Sequence, residues 1–279
     1  MKTGLAIWHY PHRTMEENIR FFAKQGFPAV SIHGARLVDA LARGEGERLA
    51  TAVRESGVIL TVHYRMPRSH EADQVEQYRQ GLHTLGAWQQ SYGLIKILSF
   101  DVPASIRNHI APYVDEALAQ VQGCAVAVED FGLTPDERGQ IEYLKGNRRF
   151  GYLIDLGHML LRIMGKNQSG KPLFTNRFDE CPVCENPGYN EFMRALASKE
   201  FPIFEMHLHN NDGESDSHLF LEDGPLDIPM IARVVRDIDF HGIMTIESAP
   251  GYKFECSGDE ADEGILKTFA YWKECCQKK

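Results

Sequence analysis

A chain of 279 residues with 43% hydrophobic and 25% charged residues has an ordinary globular composition, able to bury a sizeable core and too apolar to remain disordered. Its 39 acidic residues against 30 basic ones leave a formal charge of −9, which offers no long-range attraction for nucleic acid. Six cysteines in a chain of this length make no secreted disulfide framework, so reduced thiols are expected.

The opening stretch MKTGLAIWHY has one Lys and a short apolar run broken by His9, too short for a signal peptide or a membrane span. A soluble cytoplasmic protein is expected. Strand-like runs then recur in order: LAIWHY at 5–10, AVSIHG at 29–34, VILTVHY at 58–64, LIKILSFD at 94–101, CAVAVEDF at 124–131, GYLIDLG at 151–157, IFEMHLH at 203–209 and GIMTIESA at 242–249. Between them MEENIRFFAKQ, VDALARGEGERLATAVRES, VDEALAQVQ and IPMIARVVRDI carry the i, i+3, i+4 apolar spacing of amphipathic helices. Eight alternations predict an α/β fold, a closed (β/α)8 TIM barrel spanning 1–279 as one domain. An open doubly wound sheet is the alternative, but it would not gather the ends of the fifth to eighth strands around one point.

Local signals refine this. Gly132, Gly157 and Gly251 follow strand ends where the chain must turn. Asp227, followed by Ile228 and Pro229, predicts a helix N-cap. The stretch around 165–190 lacks apolar periodicity and is long for a connection, so a lid or a contact between copies in a homo-oligomer is expected there. It contains Cys181 and Cys184, a single CxxC, read as loop thiols.

Four polar residues stand at the ends of separate strand-like runs: Glu129, Asp155, His209 and Glu247. Unpaired buried charges cost several kcal/mol, so a core would not choose them. Alternation along a strand places Glu205, His207 and His209 on one face of the seventh strand and Thr245 with Glu247 on one face of the eighth. In a barrel that face points inward, and the last residue meets the mouth. The four are therefore expected to hold one divalent cation, Mn, Co, Mg or Zn. His158, Asp216 and His218 are candidates for a second metal or for contacts to substrate hydroxyls. His63 is a substrate-side candidate. His207, one layer deeper by alternation, reads as a hydrogen-bonding support. Trp8, His9 and Phe100 are candidate walls, and Tyr64, Arg65, Arg68 or Lys253 candidate contacts to hydroxyls or a phosphate. No GxGxxG, P-loop or GxSxG is present.

With VAVEDFG, IDLGH, HLHNND followed by DSHLFLEDGPLDI, and FHGIMTIES in this order, the chain resembles the xylose isomerase-like TIM-barrel superfamily, which holds sugar and sugar-phosphate isomerases and epimerases together with endonuclease IV. The resemblance implies one metal on Glu129, Asp155, His209 and Glu247, with the two glutamates exchanging protons with a carbohydrate carbon. The endonuclease branch would use three zinc ions to cleave DNA at abasic sites, with His158, Asp216 and His218 matching its third site and His63 part of its first. KILSFDVPAS has no His where that branch has its remaining first-site ligand, and LEDGPLD departs from its glycine-rich turn. A metal-dependent isomerase or epimerase acting on a small carbohydrate is therefore expected, with abasic-site cleavage or a lyase reaction as the alternatives.

Overall fold

A computed structural model describes residues 1–129, 135–159, 196, 200–212, 215–249 and 256–278. Lys253, the 165–190 stretch with Cys181 and Cys184, and the turns at Gly132 and Gly251 lie outside the described residues.

Eight parallel strands close into a ring in sequence order: β1 (Lys2–Ala6), β2 (Ala29–His33), β3 (Ile59–Arg65), β4 (Ile95–Asp101), β5 (Ala125–Glu129), β6 (Phe150–Asp155), β7 (Ile203–Leu208) and β8 (Ile243–Ile246). The seam pairs Lys2 with Ile243 and Leu5 with Ile246, and Lys2 N donates to Gly242 O at 3.1 Å. Around the ring stand α1 (Met15–Lys24), α2 (Gly34–Ala42), α3 (Gly46–Ser56), α4 (Ala72–Tyr92), α5 (Ala111–Gln120), α6 (Pro135–Gly139), α7 (Ile228–Asp237) and α8 (Gly258–Gln277). No helix among the described residues is long and apolar enough to cross a membrane.

Two elements differ from the sequence expectation. The run VDALARGEGERLATAVRES is not one helix: α2 ends at Ala42, Gly44 takes φ 78°, and α3 begins at Gly46. Left-handed backbone is easy for glycine and breaks the helical ladder. The first strand stops at Ala6 and the chain winds into a 3-10 turn, Ile7–His9, which bends Trp8 and His9 over the mouth.

Capping follows the sequence closely. Asp227 accepts from Met230 N at 2.9 Å, as its position before Pro229 predicts. Thr14 with Glu17 and Ser257 with Glu260 form reciprocal capping boxes on α1 and α8, a motif whose cap residue contributes about 1 kcal/mol. The main core lies between sheet and helices; Phe27 stacks on Phe269 of α8 at 3.9 Å, and Trp272 Nε1 donates to Thr3 Oγ1 at 3.2 Å. A smaller apolar layer, Ala29, Ile97, Ala127, Leu153 and Ile243, fills the lower interior of the ring. Above it the interior turns polar.

Candidate active site

The polar interior starts with Glu205, fully buried, whose Oε1 accepts from Thr61 Oγ1 at 3.0 Å and Thr245 Oγ1 at 2.6 Å. His207 sits on it, Nε2 lying 3.7 Å from Glu205 Oε1. The register pairs Asp155 with His207, so His207 is level with Asp155 rather than a layer below it, and its Nδ1 contacts Glu247 Oε2 at 2.7 Å. Burial pulls the His207 ring down, but Glu247 and Glu205 outweigh it and hold the ring well above its ordinary value.

Glu129, Asp155, His209 and Glu247 all reach this end of the barrel, distributed over four overlapping clusters of close ligand-type atoms among the described residues: Glu129 with Asp155 and His158; Asp155 with His207 and Glu247; His9 with His218 and Glu247; and His158 with His209, Asp216 and His218. Asp155 joins them, with Oδ1 3.2 Å from His209 Nε2 and Oδ2 3.8 Å from both His158 Nδ1 and His207 Nδ1. Burial opposes its ionisation, yet His158 holds the carboxyl below the usual range. Glu129 Oε1 meets His158 Nδ1 at 2.7 Å, and burial raises this carboxyl. His158 spans to Asp216, Nε2 to Oδ2, at 3.2 Å.

The donor set fits a cation on its own geometry. His209 Nδ1 lies 3.1 Å from the carbonyl of Asn210, which can only accept, so Nδ1 carries the proton and Nε2 presents its lone pair. That lone pair faces Asp155 Oδ1, and both His209 Nε2 and Asp155 Oδ2 are buried without a hydrogen-bond partner. Electron-rich buried atoms opposed in this way call for a positive charge between them, and an imidazole oriented by a carbonyl on its other nitrogen is the usual form of a metal-ligating His. His218 has the same arrangement, Nδ1 donating to Glu247 O at 2.9 Å and Nε2 3.3 Å from Asp216 Oδ1.

Local sequence explains how the loop after β7 aims these groups. Asn210 pairs with Leu219 through two backbone bonds, 3.1 and 2.7 Å, and its side chain bonds Leu221 O and Leu226 N at 2.8 and 3.0 Å. Asn211 Nδ2 donates to Gly157 O at 3.0 Å, tying this loop to the end of β6. His218 adopts φ 47°, a conformation uncommon for a residue with a Cβ, which turns its ring into the mouth. Gly157 has no side chain because a Cβ there would overlap the His209 ring. Asp212, by contrast, is engaged within its loop, accepting from Ser215 N at 2.7 Å.

A cavity of about 350 Å³ opens over these groups, near the lower end of the roughly 300–1,000 Å³ typical of small-molecule sites. Trp8, His9, His63 and Arg65 line it. His63 stacks on Trp8, its Nδ1 is 3.2 Å from Ser99 Oγ, and burial with the neighbouring His207 lowers it to about 4. Phe100 and Tyr64 do not line it. With Ser99 and Arg65 facing the mouth, alternation turns Phe100 and Tyr64 outward, where they pack with Tyr78 of α4. Sequence reasoning missed His33, Arg36 and Asp101, which also line the cavity; the signal was present at His33, a polar strand end before a glycine. A larger hollow of about 1,090 Å³ at the opposite end is lined largely by apolar residues such as Ile59, Phe201 and Phe240, and lies away from all four clusters. In barrels of this kind chemistry sits at the C-terminal ends of the strands, where the smaller cavity is.

Residues 19–275 match the xylose isomerase-like TIM barrel family, and the chain belongs to it. An uncharacterised protein of Methanocaldococcus jannaschii is 20% identical over 179 residues, 58% of this chain and 53% of that one, so the match spans about half the length of this curated relative. Among solved structures, a D-psicose 3-epimerase from Clostridium cellulolyticum H10, determined with D-tagatose, is 12% identical with 100% of each chain covered and a TM-score of 0.63. A D-allulose 3-epimerase from Methylomonas sp. in complex with D-allulose is 14% identical, covering 98% of this chain and 96% of that one, at 0.64. A xylose isomerase domain protein from Alicyclobacillus acidocaldarius is 11% identical over 100% of both chains, at 0.67. These likenesses are of fold.

Proposed function

We propose that this protein is a metal-dependent isomerase or epimerase of a small sugar or sugar phosphate, working by proton transfer at the carbon beside a carbonyl. The observation that carries this reading is the opposition of His209 Nε2 and Asp155 Oδ1 at 3.2 Å, with the His209 tautomer set by Asn210. Membership of the family and the ketose 3-epimerases among the proteins of similar fold support it.

Glu129, Asp155, His209 and Glu247 are the proposed ligands. A divalent cation held there would polarise the substrate carbonyl and acidify the adjacent C–H. Glu129 from β5 and Glu247 from β8 stand three strands apart around the ring, an arrangement suited to removing a proton on one side of the substrate and returning it on the other. His207 orients Glu247, and His158 orients Glu129. Trp8 and His63 close one wall against water. His158, Asp216 and His218 form a second set able to bind another cation or the substrate hydroxyls.

Turnover of a ketose in deuterated water tests the chemistry. Label at the epimerised or isomerised carbon is the expected result; a product free of solvent label rejects proton transfer. Elemental analysis and an abasic-site cleavage assay separate this reading from the three-zinc phosphodiesterase.

A further inference from the structure

The mouth is electrically divided. Carboxylates crowd the β5–β8 side, while Arg36, at the start of α2, and Arg65, at the end of β3, line the same cavity on the other side. A second hollow of about 390 Å³ shares His33 and Arg65 with the first and adds Arg68, Gln74 and Gln77. The second hollow therefore adjoins the first across His33 and Arg65, on the side of β2 and β3 and away from the metal-type clusters.

These arginines keep donors in reserve. Arg65 uses Nε on Asp101 Oδ2 at 2.7 Å, and Arg36 uses Nη1 on Trp8 O at 2.8 Å, leaving most of each five-donor fork for a ligand. Among the described residues neither Arg36 nor Arg68 forms an ion pair. His33 lies close enough to Arg36 and Arg65 that, after burial, they lower its pKa, and its buried Nδ1 has no hydrogen-bond partner. In a chain of formal charge −9, three arginines set against the single carboxylate of Asp101 leave a local excess of positive charge at two neighbouring strand ends.

Resting on the isomerase reading, we propose that the substrate carries an oxyanion, a carboxylate or a phosphate, at the end remote from the reacting carbon, and that Arg36, Arg65 and Arg68 bind it. Guanidinium groups hold such planar or tetrahedral oxyanions by paired, charge-assisted bonds. The reacting end lies against Glu129 and Glu247, and the charged end spans the shared rim. A neutral sugar would offer hydroxyls to these donors but would leave the field unbalanced.

The test has a binding arm and a kinetic arm. Inorganic phosphate and acetate are titrated calorimetrically into the full chain and into Arg36→Gln, Arg65→Gln, Arg68→Gln and Asp155→Asn variants. The proposal expects saturable binding of at least one anion, weakened roughly 10- to 100-fold by the arginine changes and kept in Asp155→Asn. Phosphate binding without acetate binding assigns a phosphorylated substrate, and the reverse assigns a sugar acid. Absence of binding for both, or loss in Asp155→Asn with retention in the arginine variants, overturns the subsite.

In the kinetic arm, ketoses, ketose phosphates and keto sugar acids are compared. The arginine variants are expected to raise KM for the anionic compound roughly 10- to 100-fold with kcat changed less than about 3-fold. Neutral ketoses turned over as well as charged ones, unaffected by the arginine changes, would sink the subsite and keep the isomerase. Arginine-dependent anion binding with no turnover of any hydroxy-carbonyl compound would keep the subsite and remove the isomerase.

Discussion

His207 Nδ1 and Glu247 Oε2 meet at 2.7 Å, both on the inner face of the ring, with His207 itself 1% exposed. Breaking a buried pair by deleting one partner leaves an uncompensated charge, which costs about 3–5 kcal/mol. His207→Ala is therefore expected to lower the unfolding free energy by about that amount in urea titrations, while His207→Gln, which keeps a donor, loses less. Equal stability of both variants would show that the contact does not hold Glu247 in place.

Gly157 bears on the site without contributing a side chain. A methyl group there would strike the His209 ring, so Gly157→Ala is expected to displace it and lower affinity for Mn or Co by roughly 10- to 100-fold, the scale for disturbing a ligand's support. Metal content per chain after dialysis, read by elemental analysis, checks this. Undiminished loading in a folded variant would remove His209 from the ligand set.

Asn210 concentrates the order of the loop after β7, since its amide satisfies Leu221 O and Leu226 N and its backbone pairs with Leu219. Asn210→Ala leaves buried backbone groups unpaired at about 1–3 kcal/mol each. Faster hydrogen exchange at 217–226 is expected, along with a lower Tm. A protected loop in the variant would place its stability elsewhere.

His63 predicts an acid limb in stability. Its ordinary pKa of 6.5 falls to about 4 in the folded chain, chiefly through burial. Between these values the unfolded chain holds the extra proton, so stability falls as pH drops from about 6.5 to about 4, by ~3 kcal/mol at most for this group, and is intact above 6.5. His63→Gln should flatten that part of the pH–stability curve; a curve parallel to the parent would deny His63 the role.

The barrel was legible because eight apolar runs alternate with amphipathic helices, and β5 to β8 each end in a conspicuous ionisable group. Alternation, applied consistently, also says that Phe100 must face away once Ser99 faces in. What could not be read was which further side chains line that rim. His33 and Arg36 lie far along the chain from Arg65 and Asp101, and only the pairing of His33 with His63 brings them together. Likewise the level of His207 depends on the register of β6 with β7, which shifts between Tyr152 and Leu153. Such irregularities arise from twist and packing, and no periodicity in one strand announces them.

The seam between β1 and β8 has a consequence for biosynthesis. One edge of β1 pairs early with β2, Gly4 with Ala29 and Leu5 with Val30, but residues 2–5 find the neighbours for the other edge only at 243–246, and Thr3 receives Trp272 from α8. On a ribosome β1 must wait with one edge open until β8 has been made. Ring closure is then a late, long-range event, slow for the reason that distant contacts always are, and a chain released early would expose a pairing edge.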